Sequence, residues 1–156
     1  MQRRKFVKSI VATAAVETPN FEACEESDAF AAHYEGRTVL GNTEPGDGVK
    51  FRGRGYLLLT GRANYRMMSE RLGLGTRLVD TPDDTKSPEV ASRVLVAWLA
   101  DRQERLLAAL DRNDLKTARR IVIGGLIRVQ EFEAAYHKVM EKLVDTKDRA
   151  VPSSPG

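Results

Sequence analysis

Apolar residues recur at three- and four-residue spacings near the start of the chain: Phe6, Val7, Ile10, Val11 and Ala14. That spacing lines one side of a helix, while Arg3, Arg4, Lys5 and Lys8 fall largely on the other, so the pattern predicts a helix with one buried stripe. It ends near Thr18, because Pro19 disfavours helical geometry in the residue before it and Asn20 is a turn former. The next stretch, 20–28, sets Glu22, Glu25, Glu26 and Asp28 around Phe21 and Cys24, an acidic loop with apolar anchors. Periodicity then disappears: Gly36, Gly41, Asn42, Pro45, Gly46, Asp47, Gly48, Gly53 and Gly55 punctuate a segment that excludes a regular helix. Tyr56-Leu57-Leu58-Leu59-Thr60 is a buried strand or the first turns of a helix.

From there the pattern is helical. A helix over 63–72 is closed by Gly73 and Gly75. Ser87-Pro88-Glu89 supplies a cap, a proline at the first helical position and an early acid, and Val90, Val94, Leu95, Trp98 and Leu99 form a buried stripe on a helix running to Leu110. Asn113 caps a further helix, interrupted at Gly124-Gly125. A last helix over 131–144 turns Phe132, Ala135, Tyr136, Val139, Met140 and Leu143 inward. The final letters, Val151-Pro152-Ser153-Ser154-Pro155-Gly156, have the composition of a disordered tail.

With 156 residues and 42% apolar content, the chain has material for one core and too little for two. The expected organisation is one mainly α domain over 1–148 and a tail over 149–156. The net charge of +3 comes from 25 basic and 22 acidic residues with no long basic run, which argues against a dedicated nucleic-acid binder. Cys24 has only His33 and His137 beside it as soft ligands, without zinc spacing, so neither a metal nor another cofactor is expected. No apolar run approaches the roughly 20 residues of a membrane-spanning helix, so stable membrane insertion is not expected. Arg3-Arg4-Lys5 followed by Ala12-Thr13-Ala14 has the outline of a twin-arginine export signal. Its apolar stretch sits at the short end of the usual ~7–15 residues, and the amphipathic helix is the preferred reading.

The specific letters go further. Tyr34-Glu35-Gly36-Arg37, Leu40-Gly41-Asn42-Thr43-Glu44-Pro45-Gly46-Asp47-Gly48, Phe51-Arg52-Gly53-Arg54-Gly55-Tyr56 and Leu59-Thr60-Gly61-Arg62-Ala63-Asn64-Tyr65 follow one another in a block. Together they resemble the central signature of glycoside hydrolase family 19, which joins chitinases to phage endolysins. The resemblance spans about residue 5 to about residue 140. It implies a lysozyme-like helical domain with a long glycine-rich loop and at most a small β element, monomeric and cofactor-free. The implied partner is a polysaccharide, chitin or peptidoglycan, whose β-1,4 bond is hydrolysed with inversion by one carboxylic acid and one carboxylate. For an endolysin it also implies a protein held in the cytoplasm until released to the wall.

Carried onto this chain, the resemblance makes Glu17, in Val16-Glu17-Thr18 with Phe21, the candidate general acid. Nine positions on, Glu26 is the candidate base, with Glu25 and Glu35 as substitutes. Thr60 matches a hydroxyl that holds the attacking water, its alternative role being a helix cap. Asn64 matches an amide that contacts the sugar, and Tyr65 is a third candidate on the substrate side, with packing as the competing role. Three letters depart from the family pattern: Val16, Leu58 and Ile123 stand where histidine, glutamine and asparagine are usual. The family's usual helix ahead of Arg3 is also lacking. If the three positions face sugar, substrate-orienting hydrogen bonds are lost, and the alternative expectation is an inactive carbohydrate-binding remnant of the same fold.

Overall fold

The computed structural model describes residues 2–148. The tail expected over 149–156 lies outside them, as do the side chains of Met140 and Leu143. Among the described residues the chain forms nine α-helices, several 3₁₀ turns and one two-stranded sheet. The mainly α expectation holds.

The first helix, α1 (Gln2–Glu17), packs along the last and also touches the helices of the central layer. Its buried face is Lys8, Ser9, Ala12, Thr13, Ala14 and Val16, whereas Val7 is 49% exposed. The expected stripe is therefore rotated. The reason lies in the hydroxyls: Ser9 donates to the Phe6 carbonyl at 2.6 Å and Thr13 to the Ser9 carbonyl at 2.7 Å. Satisfied within their own helix, these small side chains bury without an unpaired polar atom and let a neighbouring helix come close.

Strand β1 (Cys24–Glu25) pairs antiparallel with β2 (Arg54–Gly55), Cys24 opposite Gly55 and Glu25 opposite Arg54. Between them lie the single-turn helices α2 (Asp28–Ala31) and α3 (Asp47–Lys50). The second is a helical turn inside the glycine-rich segment. Asp47 organises it: its carboxylate, 1% exposed as a residue, accepts from the Thr43 and Glu44 amides and from Arg62. Asn42, also buried, donates to the Tyr34 carbonyl and accepts from the Arg62 amide. These two side chains fasten a loop that glycine alone would leave loose. The Tyr56–Thr60 run proves to be a tight turn in which Leu59 bridges back to Arg54, neither a strand nor a helix start.

Helix α4 (Arg62–Arg71) follows, then the short α5 (Arg77–Asp80). In α6 (Pro88–Ala100) the predicted cap is present, with Ser87 accepting from the Val90 amide. The helix stops ten residues sooner than expected and α7 (Gln103–Asp111) starts afresh. Trp98 causes the break: its indole donates to the Val122 carbonyl, and Arg102 lies over its ring at 3.6 Å while donating to its carbonyl. Neither glycine nor proline marks this point. At the next helix, α8 (Leu115–Ile123), Asp114 rather than Asn113 is the cap, and Asn113 takes the left-handed turn before it. Gly124, with φ 78°, ends α8 as predicted, and α9 (Val129–Asp148) closes the core with Phe132 and Tyr136.

Candidate active site

Helix α1 ends at Glu17. Thr18 folds its hydroxyl onto the Ala14 carbonyl, and Asn20 and Phe21 both adopt left-handed backbone, φ 54° and 58°, which turns the chain back into β1. Two such residues without glycine form an unfavoured turn. Past β1, the Glu26 amide donates to the Gly53 carbonyl at 2.9 Å, which sets the Glu26 side chain beside Gly53.

The Glu26 carboxylate is held at both oxygens. Tyr34 donates its hydroxyl to Oε1 at 3.1 Å, and the Gly53 amide donates to Oε2 at 2.8 Å. Burial, and then the negative charge of Glu26, push the Tyr34 phenol up to about 12, so it remains a donor at any ordinary pH. A Cβ built on Gly53 would lie 2.7 Å from the carboxyl carbon and Oε2 of Glu26 and 3.1 Å from the Thr60 Oγ1. Carboxylate and hydroxyl thus border one small space that exists because residue 53 has no side chain. Gly53→Ala is expected to displace Glu26 and reduce any activity that depends on it about a hundredfold. Gly53 does not occupy the left-handed region, so a folded, unchanged circular-dichroism spectrum is expected alongside the kinetic loss.

Glu17 is paired elsewhere. Its Oε1 accepts from Arg119 at 2.5 Å, with side chains 11% and 1% exposed respectively. Arg119 also donates Nε to the Ile127 carbonyl and stands 5.6 Å from the Phe132 ring, while its Nη1 is buried without a hydrogen-bond partner. Cys24 lies between the two candidate carboxylates. Its thiol reaches the Glu17 carbonyl at 3.9 Å and is pushed up by burial first, and then by the charges of Glu17 and Glu26.

The substitutes for the base are engaged. Glu25 meets Arg52, Arg54 and Lys86; burial opposes its charge, but these cations outweigh it and hold the carboxyl below the usual range. Glu35 accepts from the Gly46 and Gly48 amides at 2.7 Å each, fastening the loop. Thr60 is not a helix cap: Gly61 precedes α4, and the Thr60 hydroxyl donates to the Leu58 carbonyl at 2.8 Å. Asn64 donates its amide to the Thr60 carbonyl at 2.7 Å, steadying that turn. Tyr65 must be corrected from a substrate contact to a core residue. It is 0% exposed, its hydroxyl donates to the Arg52 carbonyl and accepts from Arg54, and it has no surface to present to a ligand. Val16 likewise faces the core at 3% exposure, so its apolar character removes no contact at the surface.

Arg119 and Tyr34 carry the geometry around the carboxylates, and neither was singled out by sequence spacing. Arg119 leaves a signal: it sits in the apolar stripe Leu115, Ala118, Val122 of α8, where a cation needs a buried anion. Tyr34 stands in the Tyr34-Glu35-Gly36-Arg37 segment of the family 19-like block, where the resemblance gives it no role of its own. Among the described residues no group of three His, Cys, Asp or Glu side chains converges as metal ligands. Among the described residues, hollows of about 500, 360 and 310 Å³ open on the surface, and none of these is lined by Glu17, Glu26 or Thr60. No protein-family model matches the chain, and no solved structure matches it.

Proposed function

We propose that this protein is an inverting glycosidase of the family 19 type, lysozyme-like in fold, cutting β-1,4 bonds in N-acetylglucosamine-containing polymers, chitin or peptidoglycan. The observation that carries the reading is the Glu26 carboxylate, oriented by Tyr34 and Gly53 with the Thr60 hydroxyl across the space beside it. A carboxylate whose position is fixed from both oxygens is suited to take a proton from water, and a neighbouring hydroxyl to hold that water in line.

In the proposed reaction Glu26 removes a proton from the water as its oxygen attacks the anomeric carbon, and Glu17 gives its proton to the departing glycosidic oxygen. The bond from the anomeric carbon to that oxygen breaks, and each carboxyl ends in the protonation state in which the other began. In the structure Glu17 is ion-paired with Arg119, and the acid role requires Glu17 to enter the reaction carrying a proton. The protein would act alone, as a monomer, on the cell wall or on chitin.

The test is release of reducing sugar from colloidal chitin and loss of turbidity from purified peptidoglycan. Glu17→Gln and Glu26→Gln are each expected to reduce the rate about a hundredfold, since each removes one proton transfer. The polymer that responds is the substrate. Retained binding of either polymer by the wild type without turnover would replace the enzyme with a carbohydrate-binding remnant, and would point to Leu58 and Ile123, where apolar side chains stand in for amides.

A further inference from the structure

We propose that the hollow between α7 and α8, of about 310 Å³, binds a compact anion carrying two or more phosphate groups. It is lined by Arg105 and Ala108 of α7, by Arg112 at the C-terminal cap of that helix, and by Thr117, Arg120 and Ile121 of α8. Positions 105 and 108 lie three apart on α7 with 112 at its end, and 117, 120 and 121 share a stripe of α8, so the two helices bring the three arginines around one space. The sequence conceals this cluster because its members are seven or more positions apart.

Like charges placed together repel unless something neutralises them. Among the described residues none of the three arginines has a carboxylate within ion-pair distance, and the acids nearest in sequence are engaged with other groups. Asp101, four residues before Arg105, pairs with Arg71. Asp111 pairs with Lys5. Asp114 spends an oxygen capping the Thr117 amide; that bond first, and the charges of Arg112 and Arg120 further down, hold its carboxyl low. Acids and bases on α7 are also segregated, since Glu104 and Asp111 line a separate hollow on the far side of Ala108. Guanidinium groups present paired donors that match phosphate oxygens, and a polyvalent phosphate can engage several at once.

The site is independent of the glycosidase reading, and its probe is inorganic tripolyphosphate titrated into the full chain with backbone amide shifts as the readout. The expected result is saturable shifts confined to residues around 105–121, lost as ionic strength rises. Arg120→Gln is expected to weaken binding about tenfold, as removal of one charged hydrogen-bond donor does. Ala108→Leu fills the hollow without changing charge and is expected to weaken it at least as much. Unsaturable shifts, or unchanged binding in Ala108→Leu with the spectrum of a folded chain, would overturn the site in favour of diffuse attraction to arginines. Cardiolipin vesicles, whose lipid carries two phosphates, run beside phosphatidylcholine, identify the source: capture of the wild type but not of Arg120→Gln makes the phosphates a lipid headgroup, and capture of neither makes the anion a free ligand.

Discussion

Asp47→Asn is expected to lower the folding free energy by about 4 kcal/mol, the range found when one member of a buried, hydrogen-bonded ion pair is removed. The side chain of Asp47 is 2% exposed, and that of Arg62 is 23% exposed. The amide that replaces the carboxylate offers one oxygen where two now accept from Arg62, Thr43 and Glu44, and it leaves the guanidinium without a counter-charge. The pH dependence identifies the cause. The hydrogen bond from Arg62 is the chief reason that the Asp47 carboxyl lies below its ordinary 3.8. A carboxyl with a depressed folded-state value contributes stability above its unfolded-state value and loses that contribution as pH falls through the folded one. Wild type and Asp47→Asn should therefore differ most at pH 6–7 and converge below about pH 4. Urea midpoints measured at pH 7 and at pH 3 check this; a gap of equal size at both would assign the loss to packing instead.

The loop that Asp47 holds also carries the candidate site, so its stability and its function are linked through Arg62 and Phe51. Arg62 lies over the Phe51 ring at 4.8 Å, and the Phe51 carbonyl receives the Gly61 amide at 2.8 Å. Gly61, at φ 92°, packs against Leu40, where a Cβ would come within 2.8 Å of the Leu40 side chain and carbonyl. The same turn ends at Thr60. A change at Asp47 thus bears on the position of the Thr60 hydroxyl relative to Glu26, although neither residue touches Asp47.

Much of this fold was legible in short-range chemistry. Ser87-Pro88 starts α6 and Gly124 ends α8 because capping and left-handed backbone are decided within four residues. What failed was decided at longer range. The α6–α7 break depends on Trp98 reaching Val122, 24 positions away, and the buried face of α1 depends on hydroxyls that hydropathy counts as polar. The site shows the same division. Glu25 and Glu26 cannot be separated by composition. The pairing of β1 with β2 separates them, sending Glu25 to Arg52 and Arg54 and the next residue to Gly53 and Tyr34. Alternation along an extended chain makes adjacent acids face opposite ways, so one register decides which is tied up by cations. Tyr65 was misplaced because an aromatic near a glycine loop serves a cleft or a core equally well, until the neighbouring Arg54 is seen to be buried against it.

Arg119→Met is expected to cost about 4 kcal/mol, and the double variant with Glu17→Gln distinctly less than the sum of the two single changes. Arg119 alone would lose only packing and two hydrogen bonds, to the Ile127 carbonyl and to Glu17. The larger loss comes from Glu17, whose carboxylate at 11% exposure would remain without a cation. Neutralising Glu17 in the same chain removes that penalty, so the cycle isolates the pair from the general cost of altering α8. Arg119→Lys gives a third point. It keeps the charge but lacks the planar fork that reaches Glu17 and the Ile127 carbonyl together, and is expected to fall between wild type and methionine. Denaturant unfolding of wild type, the two single variants Arg119→Met and Glu17→Gln, and the double variant measures the coupling. A coupling near zero would mean that Glu17 is stabilised by solvent rather than by Arg119. A coupling of about 2 kcal/mol would mean that the candidate acid is held in place by a cation buried in the core. In that case the position of Glu17 at the end of α1 depends on how α8 and α9 pack.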